Sequence, residues 1–568
     1  MKKISTFILT IIFAGTVFSQ VPNYTFAHGF GSPNQDQSTA VAADASGNNY
    51  VTGNFSDVVD FNLSAATNTL AANGFADIFV AKYNSAGQYQ WAFGFGGSGN
   101  YDSGQGIAID AAGNVYVTGY FGDDVDFDPG AGLASYTAQP GNNDAFIAKY
   151  NNNGQFQWVH HISGAGIEQG VSVTIDPTNN DVVVTGKYEL TIDVDGTAAT
   201  TTLTSEGGLD IFVSRYSSAG IFISAFSVGG PGTDLCNDIS TDGAGNVYIT
   251  GGFDQTADFD PSAVVFPLTP FIGANAMDAF VAKYNNADVF QWAFNFGETT
   301  HDAGYSVVND ATDNSVYVTG YYSNKVDFDP SASTNSMTAV GNNDIFIAKY
   351  NSAGGFMWVQ SVGGNNNDYG SALSIDGGGG IFVTGSFEDI VDFDPSASTS
   401  TLASQGLQDV FIAKYTGSGA LVWAFPVGGA GADFGFGIAN STTGTNIYCA
   451  GLLQGTVDFD PSASTANVLC AGVEDAFIAG YVDPTVGITK KETTANNQLY
   501  PNPFINELTF DLNNVSTVTV TDVLGKTVFE QKLSEGIHSI DLNDQPKGIY
   551  FVTINANSSR QVLKAVKE

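Results

Sequence analysis

Basic side chains, cysteine and histidine are all scarce in this chain of 568 residues. Eighteen Lys and Arg stand against 57 Asp and Glu, giving a formal charge of −39. So acidic a field repels nucleic-acid phosphates and anionic membrane surfaces, which excludes a nucleic-acid partner. It favours cations or partners with basic patches, and it serves solubility outside a cell equally well. Three cysteines, Cys236, Cys449 and Cys470, are too few for a disulfide framework. Cys449 and Cys470 fall in one repeat and can pair, but stability must come mainly from packing. The five histidines, His28, His160, His161, His301 and His538, are scattered. No GxSxG, HExxH or CxxC motif occurs, and no dense DxDxDG calcium loop. No apolar run is long enough to cross a bilayer, so no integral membrane span is expected.

What is present points to strands. Charged residues make up only 13%, Gly numbers 67 and aromatics reach 12%, a mixture of short strands and tight turns rather than helical repeats. Met1-Lys2-Lys3 precedes an apolar stretch from Phe7 to Phe18 and a small residue, Ser19. This reads as a signal peptide over 1–19, with cleavage leaving Gln20 first. No cysteine sits at the cut, so a lipoprotein anchor is not expected. The charge lies in the body: residues 20–482 hold eight Lys/Arg against 47 Asp/Glu.

Between the ends one unit recurs. A glycine closing a VTG-like triplet stands at Gly53, Gly119, Gly186, Gly251, Gly320, Gly385 and Gly451. The aspartate opening a DxF triplet stands at Asp77, Asp144, Asp210, Asp278, Asp344, Asp409 and Asp475. Two independent markers count seven copies with a period near 66 residues, in the range of solenoids, propellers and arrays. Each copy alternates with period two and is rich in β-branched and aromatic residues. The reading is strand a (GIAID-like), a DxxGN turn, strand b (VYVTGYF-like), a loop of about twenty residues, strand c (DAFIAKY) and strand d (FQW). Four antiparallel strands make one propeller blade. The seventh copy stops at strand c, while Tyr24-Thr-Phe-Ala-His28 aligns with a d strand. An N-terminal strand that completes the last blade closes the ring and removes both edges. The expected fold is therefore all-β, a closed seven-bladed β-propeller over 20–482, probed by small strand-a residues lining a central channel. Trp91, Trp158, Trp292, Trp358 and Trp423 on strand d read as packing between blades. The DxxGN-x-YVTG core with its downstream DAFIAKY resembles the bacterial β-propeller repeat family often called SBBP. That resemblance implies an extracellular or surface protein and brings no catalytic residues.

The recurring DxD doublet is the most suggestive chemistry: Asp126/Asp128, Asp193/Asp195, Asp258/Asp260, Asp327/Asp329, Asp392/Asp394 and Asp458/Asp460. Residues two apart in an extended chain project to one side, and paired carboxylates suit Ca²⁺. Asp before Pro also starts turns and holds backbone N–H groups, a structural alternative. Six bases share one strand-c position: Lys82, Lys149, Arg215, Lys283, Lys349 and Lys414. The expectation is an ion pair repeated in each copy, with a doublet Asp or the strand-c Asp as partner. No other cofactor is implied. Ring-shaped folds of this kind can host carboxylate hydrolases or lyases, but the departures from the repeat, Lys187-Tyr-Glu189 and His160-His161, name no constellation.

After Tyr481 the register stops, and 483–497 reads as a linker. Residues 498–568 read as a small Ig-like β-sandwich. Tyr500-Pro501-Asn502-Pro503-Phe504, Asp522-Val-Leu-Gly525-Lys526, Lys547-Gly548-Ile-Tyr550 and the basic finish Lys564 and Lys567 resemble the type A C-terminal sorting domain of the type IX (Por) secretion system of Bacteroidetes. The resemblance implies passage through the periplasm to the outer surface or beyond, with the secretion machinery as partner. The function expected is a non-catalytic, monomeric surface or secreted scaffold binding an extracellular glycan or protein. The alternative is a polysaccharide hydrolase or lyase using channel or rim carboxylates.

Overall fold

The computed structural model describes residues 21–484 and 499–568, except 65, 100, 198–199, 272–275, 299, 442–443, 513–514, 524–525 and 557–558. The expected signal peptide, most of the expected linker and Gly525 lie outside the described residues. The chain divides into two compact units, Met1–Gly487 and Ile488–Glu568. Among the described residues the fold is all-β, built of antiparallel sheets without an α-helix.

The first unit contains seven sets of four antiparallel strands. In sheet 1 the order is Gln37–Ala43, Asn49–Phe55, Asp77–Tyr83 and Tyr89–Phe95, which are strands a to d. Sheets 2 to 6 follow in chain order, with strand a at Ser103–Ile109, Glu168–Ile175, Asp234–Thr241, Ala303–Asn309 and Tyr369–Ile375. Sheet 7 takes Phe434–Asn440, Asn446–Leu453 and Asp475–Val482, and its outer strand is Asn23–Phe30 from the other end of the chain. There Phe30 stands opposite Ala476 and Ala27 opposite Ala479. Each strand a touches the next, and Phe434–Asn440 touches Gln37–Ala43, so the series returns to its start.

The sequence markers have local physical causes. In the DxxGN turn, Asp110 Oδ1 accepts the Ala112 and Asn114 amides at 2.9 Å each, and Oδ2 accepts Asn114 Nδ2 at 2.7 Å and the Tyr116 hydroxyl at 3.0 Å. Gly113 has φ +80°, a conformation that favours glycine. The VTG glycine sits where strand a bulges: a Cβ on Gly119 would run into the Ser103 carbonyl, and one on Gly251 into that of Leu235. The preceding Thr is fully buried, and its hydroxyl donates to strand c, as from Thr118 to Phe146 O at 2.7 Å.

The stretch between strands b and c is a β-ribbon, not the plain loop expected from the sequence. Asp124–Asp126 pairs with Ser135–Thr137, and Lys325–Asp327 with Ser336–Thr338. Two or three residues a side are too few for a period to be read. The ribbon covers its sheet with a buried aromatic: Phe127 packs on Phe146 at 5.0 Å between ring centres, and the Tyr150 hydroxyl donates to Phe127 O at 3.0 Å. It also lies along the outer strand of the sheet before, since Ser163 pairs with Asp193 and Gly229 bridges Asp258.

The second unit has a three-stranded sheet of Leu499–Tyr500, Glu507–Leu512 and Gly536–Asp541, and a four-stranded sheet of Thr527–Leu533, Ser516–Asp522, Gly548–Ala556 and Ser559–Lys567. Phe504, Leu508, Phe510, Val518, Val520 and Val552 form its dry interior.

Candidate functional site

The middles of the seven strands a surround a cavity of about 670 Å³. Gln37, Gln105, Asn237, Tyr305, Ser371 and Phe436 are among its lining side chains, so every part of the wall is a strand rather than a mobile loop. Large side chains also reach the wall, which the sequence reading did not expect. Tyr305 meets Tyr321 at 5.3 Å between ring centres, and Tyr321 meets Tyr369 at 5.2 Å. The Tyr369 hydroxyl takes a hydrogen bond from Asn343 Nδ2 at 3.1 Å. A smaller cavity beside this cluster is lined by His301, Tyr321, Asn324 and Asn343.

One residue breaks the small-residue pattern of the wall. At the strand-a bulge six sheets carry Ala40, Gly106, Ser172, Ser306, Ala372 and Gly437, and sheet 4 carries Asp238. Asp238 accepts the hydroxyls of Ser172 and Ser306 at 2.8 Å each, one from either neighbouring sheet. The Val307 and Ile239 amides add two bonds at 2.9 Å. Burial pushes its carboxyl upward against these donors. Asp238 was not singled out from the sequence; its only signal was a charge at a position otherwise small.

A second set of carboxyls lies in the seams between sheets. The acid that precedes or opens strand a accepts two backbone amides: Asp102 holds Gly97 N at 2.6 Å and Gly122 N at 2.7 Å. Asp368 and Asp433 do the same in their seams. Across the seam stands the strand-c aspartate of the preceding sheet. Burial, and behind it the Asp77 charge, pushes Asp102 up to about 7 against the pull of the two amides. Asp234 is pushed to about 8 by burial and Asp210, and Glu168 to about 8 by burial and Asp144.

The DxD doublets are not gathered at one place. Each caps its own ribbon: Asp126 Oδ1 accepts Asp128 N at 3.1 Å and Ala134 N at 2.8 Å. Asp193, Asp258, Asp327, Asp392 and Asp458 repeat this pair of bonds. Asp128, Asp260, Asp329, Asp394 and Asp460 each accept the amide two residues on, and Asp195 accepts the Thr197 hydroxyl. Among the described residues no group of three or more His, Cys, Asp or Glu is placed to hold a metal ion. The strand-c bases also have partners other than those expected. Arg215 pairs with Asp176 at 3.0 Å and Asp288 at 2.9 Å, and Lys414 with Asp376 at 2.8 Å and Asp483 at 2.6 Å. These acids lie in the a–b turn of the same sheet and in or just after the c end of the next. Lys149 donates to Ser218 O at 2.6 Å, and Lys82 to Asn152. Four of the lysines lie over the strand-b tyrosines Tyr50, Tyr116, Tyr248 and Tyr317. Trp91, Trp158, Trp292 and Trp358 donate to backbone carbonyls of the following sheet, and Trp423 to Asp483. Cys236, Cys449 and Cys470 are all free, so the pairing considered for the last two is not made.

In the second unit the sorting-motif residues hold strands together. Asn502 Nδ2 donates to Lys564 O at 2.8 Å, and its Oδ1 accepts Val566 N at 2.9 Å. Between Pro501 and Pro503 it thereby ties the entry to the last strand, and Phe504 is fully buried behind it. Asp522 Oδ1 accepts Lys526 N at 3.0 Å, and the Tyr550 hydroxyl, just past Gly548, donates to Pro546 O at 2.6 Å. Lys567 is buried, and its ammonium donates to the carbonyls of Leu542, Asn543 and Gln545 at 2.6, 2.8 and 2.6 Å. Tyr500 lies in the first short strand, and Lys564 is exposed.

Comparison with known proteins agrees with these two parts. Residues 498–568 match the family described as "Secretion system C-terminal sorting domain", and residues 90–120 the family described as "Beta-propeller repeat". The chain is 27% identical over 433 residues to an uncharacterized WD repeat-containing protein, L264, of Acanthamoeba polyphaga mimivirus, a match covering 64% of this chain and 31% of the relative. It is 28% identical over 208 residues to the regulatory protein FlaEY of Caulobacter vibrioides, covering 36% of this chain and 21% of the relative. The chain thus spans less than a third of either relative's length. Among solved structures, Sqt1 from Chaetomium thermophilum is similar with a TM-score of 0.38 and 9% identity, over 76% of this chain and 97% of that one. No helix among the described residues is long and apolar enough to cross a membrane. The chain carries β-propeller repeat sequence ahead of a type IX sorting tail, and a tail of this kind marks a secreted or cell-surface protein.

Proposed function

We propose that the first unit is a closed seven-bladed β-propeller, that the sorting tail is Ig-like, and that the protein is a non-catalytic scaffold binding an extracellular glycan. The tail would be read after passage through the periplasm. The observation that carries the reading is the cavity at the centre of the seven sheets. Its wall offers the aromatic rings of Tyr305 and Phe436 together with the amides of Gln37, Gln105 and Asn237. Aromatic faces with a few placed hydrogen-bonding groups suit the apolar faces and hydroxyls of a sugar ring. The acidic body disfavours polyanions, so a neutral glycan fits best. The hydrolase reading needs two carboxyls flanking a scissile bond. Asp238 is the one carboxylate among the cavity-lining residues, and four donors already hold it. Binding of the full chain to an array of neutral and acidic glycans, with turnover assays on the same polysaccharides, tests the reading. Retention of a neutral glycan that Tyr305→Ala weakens about fivefold is the expected result, given that stacking on one aromatic is worth about 1 kcal/mol. Product release without stable binding would favour the enzyme.

A further inference from the structure

Two buried carboxyls face each other in the seams of the first unit, and in five of the seven seams at least one of their oxygens has no donor; Glu168 lacks one on both oxygens and Asp234 on Oδ1. In the seam between sheets 1 and 2, Asp102 receives two amides, while Asp77 receives the Asn73 amide at 3.0 Å on Oδ2 and nothing on Oδ1. Both side chains are sealed from solvent, at 2% and 0% exposure for Asp77 and Asp102. The same oxygen lacks a donor in Asp144, Asp210, Asp278 and Asp409, whereas Asp344 Oδ1 accepts the Gly341 amide at 3.4 Å and Asp475 Oδ1 the Cys470 thiol at 3.3 Å, so the gap recurs in five seams of seven. Gly96 shows where the free oxygen points. A Cβ there would run into Asp77 Oδ1 and lie 2.8 Å from Asp102 Oδ2, so the two carboxyl oxygens flank the same stretch of backbone. Gly229, Gly297, Gly363 and Gly428 close their seams against the strand-c carboxyl in the same way. An acceptor facing an acceptor in a dry seam needs a hydrogen between them.

We propose that each of these seams holds one proton shared between its two carboxyl groups at neutral pH, a carboxyl–carboxylate hydrogen bond that joins one sheet to the next. The seam between sheets 2 and 3 has the most direct contact, with Glu168 within hydrogen-bonding reach of Asp144. The groups facing the pairs are mostly acids. Asp123 faces Asp102, Asp254 faces Asp234, Glu206 faces Asp210, and Glu298 faces the Asp278–Asp302 pair. The cationic candidate at a seam is His161, whose Nε2 lies 2.5 Å from Asp144 Oδ2. Surrounding acids of this kind favour retention of the shared proton, and burial acts in the same direction.

The pH dependence follows from the sign of the shifts. Asp102 and Asp302 are raised to about 7 and Asp36 and Asp433 to about 6, all by burial first. A carboxyl whose pKa is raised by folding stabilises the folded chain fully below its unfolded value, and that contribution is lost as pH rises through the folded value. The first unit should therefore be most stable in mild acid and should loosen between about pH 6 and about pH 8.

Infrared spectra of the full chain, recorded in water and in D₂O, read the protonated carboxyls directly. A protonated-carboxyl band at about pH 7 that fades toward about pH 9, with a melting temperature falling over the same interval, is the expected result. Asp77→Asn supplies a permanent N–H toward Asp102. That variant should melt above wild type at about pH 8 and take up one proton fewer on folding. No band at neutral pH, or a melting temperature that is flat or rises from about pH 5 to about pH 8, would overturn the proposal. If Asp77→Asn does not fold, the wild-type band alone decides.

Discussion

Buried cations give the sharpest tests at the scale of single residues. Lys414 lies between Asp376 and Asp483, and removing it leaves two buried carboxylates without their common partner. Lys414→Met should cost about 3–5 kcal/mol, the usual effect of breaking a buried pair from one side. Lys149 ends on a carbonyl, so Lys149→Met should cost only about 1 kcal/mol, and chemical denaturation of the two variants should rank them in that order. In the tail, Lys567→Met strands three carbonyls and should cost about 3 kcal/mol, read as earlier melting of that unit and less secreted protein. The periodic strand-c bases were legible as a pattern, but their partners were not. Arg215 meets Asp288 across 73 positions of sequence, in the following copy, and nothing in the spacing says which acid of that copy is near. Lys567 was legible only as part of a basic finish; the structure turns it inward.

At the scale of the element, strands a to d were readable because seven residues of alternation are enough to show a period. The β-ribbon between b and c was not, and with it went the meaning of the DxD doublet. Its first Asp binds two amides across the ribbon, of which one lies eight residues on, as Ala134 does for Asp126. Such a contact exists only once the ribbon has folded. Asp126→Asn keeps an accepting oxygen and should change stability by no more than about 0.5 kcal/mol, whereas Asp126→Ala loses both bonds and should cost about 1–2 kcal/mol. If the doublets bound Ca²⁺, the Asn variant would do nearly as much harm as Ala, and EDTA would lower the melting temperature. The hydrogen bonds predict no effect of EDTA. A drop on chelation, restored by calcium, would return the doublets to the status of metal ligands.

For the whole molecule the decisive strand is Asn23–Phe30, which comes from one end of the unit and pairs with Asp475–Val482 from the other. It brings Phe26 and Phe30 into the interior at 6% and 2% exposure, next to Phe79 and Tyr448. Two buried phenylalanines are worth about 2–3 kcal/mol each, and the lost ladder leaves an open edge. Together these approach the whole stability of an ordinary domain, about 5–15 kcal/mol. Deleting 23–30 should therefore leave a chain that does not melt cooperatively, aggregates, and is cut by proteases within 475–482. Deleting 499–568 removes a separate compact unit instead. That truncation should leave the melting of the first unit within about 2 °C of wild type while the protein stays in the periplasm. Opposite outcomes, a well-folded chain lacking 23–30 or normal surface delivery lacking 499–568, would mean respectively that the sheets do not depend on the returning strand and that the tail is not the address.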